Sequence, residues 1–296
     1  MSSCAIRRRF LSFEGRQSAG LSVYFHNRPP NLMSLLRRSI RTALIGLVLA
    51  LVGTAHVAAS PASDSTAVST TVTVRVVSND AKLLQDPVGG ARVVIRHAET
   101  GEVLAEGRQT GNSGSTDKIM NRPHERGASI YEAPGAAKFQ TTIPLAGPTP
   151  VIVTAEGPLD YPEAMQTASA SATLMPGEDI TGDGLVLTLH GFIVEMLSPK
   201  AGARVDGGTV AVRARVRLLC GCPTQPDGLW DASRYDMKAQ IVSADGEVLT
   251  EAPMRFTGKT NEYEADVQMP PENAATLRVV VADADRVNFG VAEREI

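Results

Sequence analysis

In segment after segment between Val72 and Leu189 apolar residues fall at every second position, and that spacing decides what the chain can fold into. Val72, Val74 and Val76 alternate with Thr73 and Arg75; Ala91, Val93 and Ile95 alternate with Arg92, Val94 and Arg96. Phe139, Thr141 and Ile143 follow, then Val151, Val153 and Ala155, then Ala168, Ala170, Ala172 and Leu174 between Ser and Thr. Leu185, Leu187 and Leu189 line one face of the next segment, with Val186, Thr188 and His190 on the other. Side chains of an extended strand point to opposite faces in turn, so period two marks half-buried strands. No stretch of helical period interrupts them. Turn chemistry does, at Asp86-Pro87-Val88-Gly89-Gly90 and Thr100-Gly101. Seven or so short strands in about 120 residues predict a β-sandwich.

The same alternation resumes beyond Gly191. Val210, Val212, Ala214, Val216 and Leu218 share one face, with Arg213, Arg215 and Arg217 on the other. Tyr235, Met237, Ala239 and Ile241 oppose Asp236, Lys238 and Gln240; Tyr263, Ala265, Val267 and Met269 oppose Glu262, Glu264 and Asp266. Leu277, Val279 and Val281 complete the set. The chain therefore reads as all-β, two tandem sandwiches over 71–190 and 191–296. Composition agrees: 43% of 296 residues are hydrophobic, only 4% aromatic, with 26 Gly and 18 Pro. That mix suits many short strands and excludes disordered and collagen-like chains. Residues 109–137 are the exception. They are polar, rich in Gly, Ser and Pro, without a period, and predict a long mobile loop.

The N-terminus reads as an address. Arg37, Arg38 and Arg41 precede the apolar run Ala43–Val52, and Val57-Ala58-Ala59 follows it. That order marks a signal peptide over 1–59 cut after Ala59, with 1–32 an over-long start before Met33. Ten apolar residues are too few to span a bilayer, and no later segment is long enough. Residues 60–70 are small and polar, a linker. Removing the eight Arg and one Glu of 1–59 from 29 basic and 32 acidic side chains leaves 21 and 31, a formal net charge of −10. So acidic a chain is a poor partner for nucleic acid or anionic lipid.

Two resemblances rest on particular residues. Pro87-Val88-Gly89-Gly90-Ala91-Arg92-Val93-Val94-Ile95, then Glu99-Thr100-Gly101-Glu102-Val103-Leu104-Ala105, and later Pro150–Gly157, resemble the carboxypeptidase regulatory-like, transthyretin-like family. The likeness covers about 71–190 and implies a seven-stranded sandwich serving folding support or binding, with no catalytic residues. The segment 109–137 departs from that family's short turn. Ile193–Pro199, then Gly202-Ala203-Arg204-Val205, is similar to the first strand and turn of bacterial immunoglobulin-like domains, modules that hold or present something else.

Leu219-Cys220-Gly221-Cys222-Pro223 is the sharpest local motif, and after leader removal it holds the only two cysteines. Four readings stay open: a local disulfide, a two-thiolate site for a soft ion such as Cu(I), linkage to a partner's cysteine, or free thiols. Two cysteines cannot complete a structural zinc site. The following loop carries the only Trp, Trp230, either a partner anchor or a plug at one end of the sandwich. Asp179, Thr181 and Asp183 with Gly184 match the start of a calcium loop, but position twelve is His190 instead of Glu, which leaves a turn between strands. His97, His124 and His190 are spread over separate segments. Gly111-Asn112-Ser113-Gly114 falls one residue short of a nucleophile elbow, and no phosphate-binding loop is present. The arginine row 213/215/217 is expected to pair with Glu262, Glu264 and Asp266.

These readings converge on an exported protein, periplasmic or secreted, that is not an enzyme and binds or scaffolds a partner protein. The alternative is a copper-handling or redox accessory protein using Cys220 and Cys222. No cofactor is expected otherwise.

Overall fold

The structure is a computed structural model and describes residues 66–203 and 208–296. The leader read over 1–59 and most of the linker lie outside the described residues. Residues 61–296 form one compact unit.

Fifteen strands are described, and α-helix is absent among the described residues. The first seven are β1 (Val68–Ser78), β2 (Ala91–His97), β3 (Val103–Gln109), β4 (Phe139–Leu145), β5 (Thr149–Gly157), β6 (Gln166–Leu174) and β7 (Ile180–Leu189). They build two sheets, β4-β1-β7 and β3-β2-β5-β6. Every pair is antiparallel except β1 with β7. Val72, Val74, Val93, Ile95, Val151 and Val153, all fully buried, fill the space between the sheets. Each such side chain contributes roughly 1.5–3 kcal/mol of burial. The core is therefore the one the alternation predicts.

Strand β1 differs from the sequence reading in its start and in its burial. Strand β1 starts at Val68, inside the stretch read as linker. It is also buried on both faces: Thr73 and Arg75 are 1% and 3% exposed, because it is the middle strand of its sheet and residues 109–137 cover its other side.

The remaining strands are β8 (Phe192–Ser198), β9 (Thr209–Leu218), β10 (Asp236–Val242), β11 (Val248–Pro253), β12 (Arg255–Phe256), β13 (Glu262–Gln268), β14 (Thr276–Asp283) and β15 (Asn288–Glu295). Their sheets run β8-β9-β13-β12 and β11-β10-β14-β15. Lettered in chain order as A, B, C, C′, D, E, F and G, these are the A-B-E-D sheet and the C-F-G sheet with C′ added, the arrangement of immunoglobulin-like sandwiches. The alternating residues of β9, β10, β13 and β14 all point into this second core.

Candidate functional site

In immunoglobulin-like sandwiches the B–C and F–G connections lie at one end and often carry binding loops. Here both are docked against the first sandwich. The β9–β10 connection begins with Leu219, fully buried in the first core rather than the second. The Cys220 carbonyl accepts a hydrogen bond from Gln85 Nε2 at 3.0 Å. Gly221 has φ +78°, and a Cβ there would stand 2.8 Å from Val88 Cγ1, so the position requires glycine twice over. Trp230 is 5% exposed, and its indole N–H donates to the Asp80 carbonyl at 2.9 Å.

The β14–β15 connection is tied down just as closely. Arg286 pairs with Asp80 at 2.6 Å, and its carbonyl accepts from Asn79 Nδ2 at 2.5 Å. Asn288 accepts from the Gly191 N–H at 2.9 Å. His190 Nδ1 stands 3.1 Å from the Val287 carbonyl oxygen. Farther out, Arg217 donates to the Tyr161 hydroxyl at 2.8 Å while lying over its ring. Burial works against the Arg217 charge, but Tyr161 and Glu195 outweigh it and hold its pKa above the ordinary value.

Of the two sequence readings of Trp230, plug and partner anchor, the structure agrees with the plug. Trp230 faces inward and caps the joint, so its ring is not offered to a partner. Cys222 is 3% exposed and Cys220 is fully buried, because the first sandwich covers the corner that carries them. Their sulfurs are bonded to each other at 2.04 Å. Among the described residues no group of three His, Cys, Asp or Glu side chains could hold a metal ion. A three-residue ring removes little unfolded-chain entropy, so replacing both cysteines by Ser should cost on the order of 1–2 kcal/mol. Titration of denatured, unreduced mature protein should find no free thiol; two free thiols would remove the bond.

The arginine row meets the expected acidic row at Glu262 alone. Arg213 and Arg215 both reach Glu262, at 2.9 and 3.5 Å, and Arg217 reaches Glu195 at 2.8 Å. Glu264 and Asp266 turn to Arg255 at 3.1 and 3.4 Å.

Residues 109–137, expected to be a mobile loop, are pinned. Strand β7 bulges against β1, its register jumping from Val72↔Ile180 to Val74↔Leu185. Gly184 at φ +68° makes the bulge, where a Cβ would stand 2.2 Å from the Thr73 carbonyl oxygen. The bulge pushes the Asp183 carboxylate into the loop. It accepts from the Ser129 hydroxyl at 2.7 Å and from the N–H groups of Ile130, Tyr131 and Glu132 at 2.8, 2.8 and 3.0 Å. Burial raises the Asp183 pKa, but these four donors outweigh it and leave it below the ordinary carboxylate value. Beneath, Arg75 donates to the Ala137 carbonyl at 2.8 Å and the Gly182 carbonyl at 3.2 Å. Burial lowers the Arg75 pKa, and Asp183 and Glu132 oppose the shift. The calcium-loop likeness at 179–184 thus resolves into a strand bulge whose carboxylate binds backbone, not the turn between strands that the sequence suggested. No periodicity could have revealed it, since ligand and loop lie about fifty residues apart.

The three histidines are likewise held by backbone. His97 Nδ1 accepts from the Glu99 N–H at 3.2 Å, and His124 Nε2 stands 3.0 Å from the Ile119 carbonyl oxygen.

Exposed large apolar side chains occur at several places, and three of them lie on or beside β15. Phe289, Val291 and Val287 are 54%, 47% and 56% exposed, and Met165 of the first sandwich is 43% exposed. Between β8 and β15 runs a groove of about 480 Å³, lined by Glu163, Val194, Glu195, Met196, Val291 and Glu293 among others. A smaller hollow of about 180 Å³ continues it past Phe289 to Gln166, sharing Glu163 and Val291. No helix among the described residues is long and apolar enough to cross a membrane.

No family model matches the chain, and no curated protein matches it. Among solved structures it is similar to a chain from the crystal structure of Dpr2 Ig1-Ig2 in complex with DIP-Theta Ig1-Ig3. The identity is 11% and the TM-score 0.25, over 76% of this chain and 97% of that chain. The immunoglobulin-like reading of the second sandwich rests on its strand order, not on that likeness.

Proposed function

We propose that the chain is an exported, non-enzymatic module that binds a partner protein through the β15 face beside the joint. The observation that carries it is where exposed apolar side chains remain. Scattered apolar residues on a surface need no explanation, but a contiguous patch beside a groove marks an interaction site. Phe289 and Val291 stand two residues apart on an outward face, next to a groove with three carboxylates. The loops that sandwiches of this kind often use for binding are occupied by the joint. The histidines and most of the paired acidic and basic groups serve structural contacts, which supports a module without catalysis. The seven strands of 68–189 favour the transthyretin-like reading of the first sandwich, and the basic–apolar–small order of 37–59 favours export with a mature start near Ser60.

A photoreactive side chain at position 289 in the exported protein should yield a discrete cross-linked adduct, and one at the distant turn residue Asp245 should not. With the photoreactive side chain moved to position 291, Phe289→Lys should weaken the capture at least about tenfold, the loss of one apolar anchor, with the melting temperature unchanged. Equal adducts from both positions, or none from 289, would contradict the assignment. Mass analysis of the exported chain should find its N-terminus near Ser60.

A further inference from the structure

We infer that the protein forms a two-fold symmetric dimer by pairing strand β6 with β6 of a second copy. An unpaired sheet edge presents a row of free N–H and C=O groups, and proteins guard such edges with charge, proline, bulges or shortness. Seven of the eight sheet edges here are guarded. β3 carries Glu106 and Arg108, β4 carries Pro144, and β7 is bulged at 181–184. β8 is irregular between Met196 and Ser198, and β12 has two residues. β11 carries Glu251 and Pro253, and β15 carries Glu293, Arg294 and Glu295.

β6 has none of these. It pairs with β5 without a break from Gln166 to Leu174, contains no charged residue and no proline, and is exposed along most of its length. Its sequence is a second, independent observation. Thr167-Ala168-Ser169-Ala170-Ser171-Ala172-Thr173 reads the same in both directions. An antiparallel pair centred on Ala170 therefore sets Thr167 opposite Thr173 of the second copy, Ala168 opposite Ala172, Ser169 opposite Ser171 and Ala170 opposite itself. A two-fold interface must be complementary to itself, and this strand is so residue by residue. Alanines meet alanines on one face and hydroxyls meet hydroxyls on the other, with no charge to repel. The hydroxyl rung already exists within one copy, where Thr154 Oγ1 and Ser169 Oγ lie 3.0 Å apart across β5 and β6. Pairing would join two four-stranded sheets into one of eight. The pairing uses Thr167–Thr173, whereas the proposed partner surface lies on β15 and reaches β6 only at Gln166, so variants at Ala170 test the dimer separately.

Light scattering on the purified protein should give twice the chain mass. Ala170→Cys places two thiols across the axis within disulfide reach, since directly opposed strand residues lie about 4.5–5.5 Å apart. It should cross-link covalently under mild oxidation, compared with the protein lacking the added cysteine. Thr167→Cys, whose twin lies six residues along at about 20 Å, should not. Ala170→Lys and Ala170→Glu should each weaken the dimer at least about tenfold, and mixing the two should restore it. Ala170 is exposed, so these variants leave the core untouched. A wild-type protein that is monomeric at about 100 µM would overturn the inference. So would cross-linking of Thr167→Cys as fast as Ala170→Cys, or a dimer indifferent to Ala170→Lys.

Discussion

Trp230→Ala is expected to lower stability by roughly 3–5 kcal/mol, the usual cost of emptying a buried Trp site. At this chain length that corresponds to a fall of about 10 °C in melting temperature. Two effects combine. The indole fills the corner between the β9–β10 connection and Ala81, and its N–H is the donor recorded at the Asp80 carbonyl. Asp80 itself also holds Arg286 and, at 3.8 Å, Arg234. The damage should therefore spread to the β14–β15 connection. Amide exchange should rise at 79–88, 219–235 and 284–288 and stay low in β2 and β5. A loss confined to 219–235, or below about 1 kcal/mol, would mean the ring merely covers an edge.

Asp183→Ala should release residues 109–137. It removes the acceptor of four hydrogen bonds and leaves Arg75 without the stronger of the two negative charges that act on it. Bonds to a charged group contribute roughly 1.5–3 kcal/mol in favourable cases. Asp183 is half-exposed, so solvent screening brings the expected total to about 2–3 kcal/mol. The pH dependence has a definite sign. The folded-state pKa lies below the unfolded value, so the contribution is complete above the ordinary carboxylate range and is lost as pH falls through the folded value. Wild type and Asp183→Ala should differ most near neutrality and converge in acid. Limited proteolysis should cut the variant between 109 and 137 at neutral pH, and the wild type there only in acid. A wild type cut first in this segment at neutral pH would contradict the clamp.

The sequence disclosed what depends on near neighbours. Each strand with large residues facing inward and polar ones outward, β9 and β13 above all, was legible from alternation alone. β15 was not, because its pattern is reversed: Gly290 and Ala292 face the core while Phe289 and Val291 face solvent. The inward positions are small because β8 packs close against them, so the large residues that draw attention sit on the wrong face for a core. β11 and the two-residue β12 were missed as well, being short edge strands. The joint was illegible for another reason. Trp230 and Asp80 are 150 residues apart, and Gln85 and Cys220 are 135 apart. No local pattern encodes such contacts, so the same residues read as a partner anchor, a plug or a metal site until the fold brings their partners in. The palindrome of β6 was present throughout but had no meaning until β6 proved to be a sheet edge.

The two sandwiches behave as one welded body, with Leu219 in the first core and Ala81 in the second. Differential scanning calorimetry of the mature chain tests it most directly. Welded sandwiches unfold together, in a single transition whose calorimetric and van't Hoff enthalpies agree for the folded unit. Two resolved transitions in the wild-type protein, unaffected by Trp230→Ala, would show two independent sandwiches on a tether and contradict the account.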